Sequence, residues 1–213
     1  MAVWQYPLII IPKKAVFEKF GDIPERLFID NKGWKKYWEN INLSKAFPEP
    51  DFEDAKTITW WKNIDLNIQE TANQIDKLVK RGDWSNDKDF IGWKGDSEKQ
   101  EDNDCHIAYD EKTNEISEFQ FRTDLRNMEK ATRFLMGMLE ICSNNNLLLM
   151  NTEGLLFEPK KELIFNDLKG SDAIKFLTEP EKFLEEISND EKNRIQFYPI
   201  KQSFWDRIKN LFN

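Results

Sequence analysis

The sequence predicts a single α+β domain over residues 1–213, with a mostly antiparallel sheet, flanking helices and a short amphipathic helix near the C-terminal end. Segments with the alternation of strands are mixed with segments that have helical spacing. Two alternating segments are joined by a short polar turn, as in a hairpin. The chain has no Gly/Ser-rich linker, and its 16 Phe, 8 Trp and 4 Tyr supply bulk for a core. Two halves, 1–82 and 104–213, joined by an acidic polar segment, are the alternative.

The first elements are a strand, a short helix and a second strand. Val3 to Ile11 is predicted as a strand that Pro12 stops. Lys13 to Phe20 is predicted as a helix that Gly21 ends. Leu27 to Asp30 has the composition of another short strand.

Aromatic side chains recur at helical spacing in the next segment. Trp34, Tyr37, Trp38 and Ile41 stand at i, i+3, i+4 and i+7, which gathers them on one face of a helix. An aromatic core stripe is the expected explanation, because aromatic residues dominate core burial. A ligand or partner groove is the alternative, and with Trp60–Trp61 it would suit a small-molecule sensor.

Three elements are predicted between this stripe and residue 93. Thr57 to Trp61 has the β-branched and aromatic content of a strand. Ile64 to Arg81 has helical spacing of its apolar residues, with Gly82 as the C-cap. Phe90 to Trp93 is predicted as a short strand.

Residues 105–124 predict a β-hairpin. Cys105 to Tyr109 and Ile116 to Asp124 alternate, and the residues between them have the composition of a turn. Phe119 and Phe121 are therefore expected on an apolar face, because successive strand side chains point to opposite sides. The polar face is expected to carry His106, Glu118, Gln120, Arg122 and Asp124.

The C-terminal third predicts one long helix and several short elements. Asn127 is expected to cap a helix that extends through Cys142. The short elements are strands at Leu147–Met150 and Leu155–Phe157, helices at Ser171–Leu177 and Pro180–Ile187, a strand at Ile195–Tyr198 and a helix from Ser203. That last helix has an apolar side of Phe204, Trp205, Ile208, Leu211 and Phe212. It is expected to dock on its own domain rather than on a membrane.

The whole formal charge of −8 belongs to one segment. Residues 83–118 hold twelve acidic side chains against four lysines, and the rest of the chain is balanced. The stretch from Asp96 to Asp104 has no apolar residue and predicts an exposed loop. An acidic balance argues against direct nucleic-acid binding, which requires a basic surface.

Catalytic, metal and cofactor motifs are not recognisable in the sequence. Cys105 and His106 are adjacent in a strand and point to opposite faces, so they cannot form a nucleophile and base pair. One histidine excludes the common His-rich zinc sites. Two cysteines without CxxC spacing favour a reducing cytoplasm, and neither an export signal nor a transmembrane span is predicted.

Several short motifs resemble a known group of proteins. They are Phe121-Arg122-Thr123-Asp124-Leu125-Arg126 at a strand end, an amphipathic helix, Glu153-Gly154-Leu155-Leu156-Phe157-Glu158-Pro159, Ser171 to Leu177 and Glu179 to Leu184. This arrangement, over residues 115–185, resembles bacterial α+β immunity proteins found beside polymorphic or contact-dependent toxins. The resemblance implies a cytoplasmic, non-enzymatic protein that binds and neutralises a cognate toxin. A basic nuclease domain is the expected kind of partner, because complementary charge speeds association.

The candidate partner-binding residues combine the acidic stretch with the polar strand face. They are Asp96, Glu98, Glu101, Asp102, Asp104, His106, Glu118, Gln120, Arg122 and Asp124. The alternative from another class is a small enzyme in which carboxylates act as acid and base and His106 or Arg122 assists. A solvated loop and the wet side of an antiparallel sheet would explain the same residues without a function.

Overall fold

The computed structural model describes residues 2–40, 48–82 and 88–185. In chain order these contain β1 (Gln5–Pro12), α1 (Lys13–Phe20), α2 (Asn31–Asn40), α3 (Ile68–Ile75), β2 (Phe90–Lys94), β3 (Asp104–Tyr109), β4 (Ile116–Asp124), α4 (Met128–Asn144), β5 (Leu147–Met150), β6 (Leu156–Phe157), α5 (Lys161–Gly170) and α6 (Asp172–Thr178). A further helical stretch occupies 180–185. None of the described helices has the length and apolar content needed to cross a membrane.

The strands form one antiparallel sheet in the order β2-β3-β4-β1-β5-β6, which confirms the predicted α+β class. The N-terminal strand β1 lies inside this sheet, paired with β4 on one side and β5 on the other. Strands from both 1–82 and 104–213 therefore share one sheet.

One face of the sheet carries most of the core. Cross-strand pairing aligns Trp93, Cys105, Phe121 and Leu8 in a single row. The ring of Phe134 on α4 meets Phe121 edge to face, with centroids 5.9 Å apart. Helix α4 begins where Asn127 accepts a hydrogen bond from the backbone N–H of Lys130, as its sequence predicts. Its buried side chains are Ala131, Phe134, Leu135, Met138, Leu139, Ile141 and Cys142.

The opposite face changes from polar to apolar across its width. One cross-strand row runs from His106 through Gln120 and Ile9 to Met150. The apolar half of this face lies beside α2 and the 55–61 turn, whose tryptophans line a groove with Ile9 and Met150. The polar half, on β3 and β4, is the face that the hairpin pattern predicts.

Both outer strands of the sheet have backbone partners. The amide of Gly82 donates to the carbonyl of Gly92 at 2.9 Å, beside β2. The amide of Leu156, in β6, donates to the carbonyl of Glu25 at 2.9 Å. Segments near residues 25 and 81 thus cover the edges that would otherwise invite pairing with another chain.

Several predicted elements differ from the structure around Asp54. The predicted strand Thr57–Trp61 is wrong, because Asp54 holds a turn there by accepting from the amides of Lys56 and Thr57. The indole N–H of Trp60 donates to the carbonyl of Ala55 at 2.7 Å and closes the turn.

Three other elements also differ from the prediction. Residues 27–30 form no strand, and the long predicted helix Ile64–Arg81 shortens to Ile68–Ile75. Helix α5 is additional to the predicted elements.

The described residues of the aromatic stripe on α2 are not buried in the core, and of these only Trp34, which is partly buried, packs against it. No residue of α2 is buried, and Trp38 retains 57% of its exposure. The predicted strand Ile195–Tyr198, the helix from Ser203 and the end of the helix Pro180–Ile187 lie outside the described residues, as does Ile41.

Alanine substitutions at three glycines test how closely the 25–29 segment packs on the turn at Gly154. Gly154 has φ +86° and an added Cβ would lie 2.3 Å from the carbonyl oxygen of Leu27, whereas Gly21 has φ +82° in open space. Gly21→Ala should lower the free energy of unfolding in urea by about 1–2 kcal/mol. Gly154→Ala should cost clearly more, and Gly170→Ala, in open space without positive φ, should be neutral or stabilising. Equal costs at Gly154 and Gly21 would contradict the packing of the 25–29 segment on this turn.

Candidate functional site

The polar side of the hairpin forms a continuous patch of side chains. Asp104 lies opposite Arg122, and His106 lies opposite Gln120, so all four point to one face, as predicted for His106, Gln120 and Arg122. Lys94 on β2 joins the same row through its pairing with Asp104. The candidate residues at positions 104, 106, 118, 120 and 122 are therefore brought together.

Asp104 is the centre of one part of this patch. Its side chain is only 8% exposed, and the Nε of Arg122 donates to its Oδ1 at 2.7 Å. Its Oδ2 accepts a hydrogen bond from the side-chain amide Nε2 of Gln5 at 3.2 Å and lies 3.5 Å from Nζ of Lys94. The Asp104 carboxylate is thus neutralised within the protein.

Asp124 is the centre of a second, buried cluster at the end of β4. Its fully buried carboxylate accepts from the side chain of Arg126 at 2.7 Å and from the amide of Asp102 at 2.9 Å. The amide of Asp124 donates to the side-chain oxygen of Asn103 at 2.9 Å. Arg126 also lies over the ring of Trp4, 4.4 Å from its centroid. Burial alone would raise the pKa of Asp124, but the hydrogen bonds from Arg126 and Asp102 hold this pKa below its usual range.

The acidic stretch from Asp96 to Asp104 is exposed only at residues 97–100. The prediction of an exposed loop is wrong for Asp102 and Asp104, because ion pairs with Lys94 and Arg122 and hydrogen bonds from the side chain of Gln5 hold them against the sheet. Lys94 Nζ lies 2.5 Å from Asp102, Lys130 Nζ lies 2.9 Å from Glu101, and Lys99 pairs with Asp96. Among the carboxylates of this stretch, only Glu98 has no ion pair within the described part of the chain.

His106 and Glu118 form a third part of the patch. Nε2 of His106 lies 3.2 Å from Oε2 of Glu118 and 3.2 Å from the amide nitrogen of Gln120, and its ring stacks on Phe90 at 5.3 Å. A protonated Nε2 donates to Glu118, and an unprotonated Nε2 accepts from Gln120. The contact with His106 holds the pKa of Glu118 below its usual range, against the opposing effect of burial.

The turn end of the hairpin carries several carboxylates that have no ion pair among the described residues. Asp89, Asp110 and Glu115 have no ion pair among the residues that the structure describes, and Glu111 has only a 3.6 Å contact with the exposed Lys88. Backbone amides of residues 112 and 113 donate to Asp110 and hold its pKa below the usual range. Among the described residues of the acidic segment, the unpaired carboxylates therefore lie mainly at this end and not in the 96–104 stretch.

An aromatic groove adjoins this acidic end. It has a volume of about 560 Å³ and lies between α2, the 55–61 turn and the apolar half of the sheet face. Trp34, Trp38 and Trp60 line it, and Glu118 and Gln120 reach it from the polar patch. The indole N–H of Trp34 donates to Asp54 at 2.7 Å, which fixes that ring. A smaller groove of about 360 Å³ shares Trp60 and extends toward Phe20 and Phe28.

Phe20, Phe28 and Trp38 are 45%, 69% and 57% exposed. Sequence patterns did not identify Phe20 and Phe28 as surface residues. The lysines at 32, 35 and 36 around Trp34 and Trp38 were the available signal that α2 cannot be buried on all sides.

Another cavity, of about 410 Å³, lies near the start of β1. There the hydroxyl of Tyr6 donates to Asp167 at 2.6 Å, and the side-chain amide of Asn151 donates to the same carboxylate at 2.9 Å. Burial and the neighbouring Asp167 raise the pKa of Tyr6, so this phenol remains a neutral donor. The polar side chains of Tyr6, Asn151 and Asp167 in this cavity are thus hydrogen-bonded to one another.

Neither cysteine is placed as a nucleophile. Cys105 and Cys142 are buried, and burial raises the pKa of both thiols, which keeps them protonated. The described residues contain no cluster of His, Cys, Asp and Glu suited to a metal ion. The lining of the aromatic groove, within the described chain, includes neither His106 nor Arg122.

Comparisons with protein-family models, with curated proteins and with solved structures find no match.

Replacing Asp124 tests the buried cluster. Asp124→Ala leaves Arg126 and the amide of Asp102 without their acceptor, and it should lower the free energy of unfolding by about 3 kcal/mol at pH 7. Because the pKa of Asp124 is lowered by folding, its contribution is present above its unfolded pKa of about 3.9 and is lost as the pH falls through the folded value. The deficit of the variant should therefore shrink below about pH 4. Asp172→Ala, at a carboxylate whose side chain is 76% exposed, is the control and should change stability by less than about 0.5 kcal/mol.

Replacing His106 tests the cause of the lowered Glu118 pKa. In His106→Ala the opposing effect of burial remains, so the pKa of Glu118 should rise. Side-chain carboxyl NMR titration measures it, and the pKa of Asp110, set by backbone amides, should stay constant. An unchanged pKa of Glu118 would show that His106 does not stabilise its anion.

Proposed function

We propose that this protein is a non-enzymatic binding module of the immunity type, which binds and neutralises a cognate bacterial toxin. The observation that carries the proposal is that β4 runs from the hairpin turn, where carboxylates are unpaired, to the groove of exposed aromatic rings, which its residues Ser117 and Glu118 line. Asp89, Asp110 and Glu115 lie at the hairpin end, and Trp38 lies beside the groove that Glu118 reaches. A cytoplasmic location, expected from the cysteine content, belongs to the same proposal.

The exposed aromatic residues support a protein partner. Large contiguous apolar patches are uncommon on monomeric surfaces, and tryptophan is enriched among the residues that carry binding energy in interfaces. The two grooves share Trp60, and the exposed rings of Trp38, Phe20 and Phe28 line them. An aromatic centre with a charged rim is the usual composition of such an interface.

The unpaired carboxylates support a basic partner such as a nuclease domain. Complementary charge raises association rates and suppresses wrong partners more than it raises affinity. The acidic stretch at 96–104 contributes less to this attraction, because Lys94, Lys99, Lys130 and Arg122 neutralise most of it. Within the candidate set, we assign Glu118 and Gln120 to the centre of the interface and Glu98 to its periphery.

The polar patch itself supports binding more than catalysis. Arg122 pairs with Asp104 at 2.7 Å and Lys94 pairs with Asp102 at 2.5 Å, so these charged groups already have partners within the protein. Such a preformed patch can meet a partner with little loss of side-chain freedom.

Co-expression with the toxin domain encoded beside this protein tests the proposal. The protein should restore growth of the bacterial host and form a stable complex in size-exclusion chromatography. Failure of both would overturn the proposed function.

Charge reversal tests the position of the interface. Asp89→Lys with Glu115→Lys should slow association with the toxin domain about tenfold at low salt and flatten its salt dependence. The control, Glu129→Lys with Glu140→Lys, makes the same change of net charge at exposed carboxylates of α4, on the opposite side of the sheet, and should change the rate less than about twofold. Equal effects of the two pairs would show that only net charge matters.

A further inference from the structure

We infer that the groove between α2 and the sheet accepts an arginine side chain of the partner, with its guanidinium between the indoles of Trp34 and Trp38 and the carboxylate of Glu118. This inference rests on the proposed function and names the chemistry that the same surface recognises.

The two indoles provide a preformed aromatic wall. Their rings are stacked, with centroids 6.2 Å apart and planes inclined by 24°. Trp34 is also held edge to face by Phe52 at 5.2 Å and by Tyr37 at 5.5 Å. The faces of indole rings attract cations, and a planar guanidinium stacks on them better than an ammonium does.

Glu118 provides the anionic side of the groove. Its side chain is 52% exposed and lines the groove that Trp34 and Trp38 line. His106, its only described ion-pair partner, contacts Oε2 and leaves Oε1 without a described ion pair. A guanidinium suits this acceptor, because charge-assisted hydrogen bonds to carboxylates are the stronger ones.

Other occupants fit the lining less well. An apolar side chain would desolvate Glu118 without giving it a partner, which costs free energy. An anion would be repelled by the carboxylate of Glu118. Lys56 is the one cation among the described lining residues, and it opposes an arginine, so its removal should strengthen binding.

A short peptide tests this on the full chain without the toxin. The probe is acetyl-Gly-Arg-Gly-amide, and its matched control replaces arginine with citrulline, which keeps the shape and removes the charge. NMR of the tryptophan indole N–H groups should show saturable shifts at Trp34 and Trp38 with the arginine peptide. The citrulline peptide should bind at least about tenfold more weakly, because it lacks both the cation–π and the ion-pair contact.

Variants locate the binding. Trp38→Ala and Glu118→Gln should each lower the affinity for the arginine peptide about three- to fivefold, and Lys56→Gln should raise this affinity about twofold. Trp38→Ala should fold, since α2 has no buried residue, and far-UV circular dichroism checks this. Absent shifts, equal binding of the citrulline peptide, or unchanged affinity in Glu118→Gln would overturn the inference.

The outcomes separate this inference from the proposed function. If the arginine peptide binds as described but the toxin is not neutralised, the proposed function fails. If the toxin is neutralised and Trp38→Ala and Glu118→Gln leave its affinity unchanged, the arginine site fails and the proposed function stands.

Discussion

The buried carboxylate of Asp124 is the constraint on which the arrangement of charge depends. It lies at the end of β4, next to a stretch rich in acidic residues, and it accepts hydrogen bonds from Arg126 and from the backbone of Asp102. Gln5 adds a hydrogen bond from β1 to the carbonyl of Asp102 at 2.6 Å. These contacts order residues 102–104 against the sheet and bring their carboxylates to Lys94 and Arg122. A segment with no apolar residue thereby becomes part of the folded body.

This ordering gives the two ends of β4 different electrostatic properties. At the Asp124 end, nearly every carboxylate is paired, and the contacts are structural. At the hairpin end, carboxylates remain unpaired, and they adjoin the groove formed by α2 and the apolar half of the sheet face. Helix α2 and the 55–61 turn cover the apolar half of that face, and the polar half is exposed. The groove tryptophans, Glu118 and His106 therefore lie along the border between the two halves. The proposed interface depends on that border.

Features of the fold that depend on neighbouring residues were predictable from the sequence. Alternation and turn composition predicted the hairpin and the sides of His106 and Gln120, and Asn127 marked the start of α4. Failures arose where distant residues decide the outcome. Asp54 overrides the β propensity of Thr57–Trp61, and it fixes Trp34 in a helix that is not buried. The burial of Asp102 and Asp104 required Gln5, about a hundred positions away, and no local pattern shows such a partner.

Native-state amide hydrogen exchange tests most directly whether Asp124 orders the acidic stretch. The amides of Asp102 and Gly95 donate to the Asp124 carboxylate and to the carbonyl of Asn103. They should be protected to a degree similar to the amides of β4, and this protection should fall selectively in Asp124→Ala. Exchange of both amides as fast as in the exposed residues 97–100 of the unmodified protein would contradict the account.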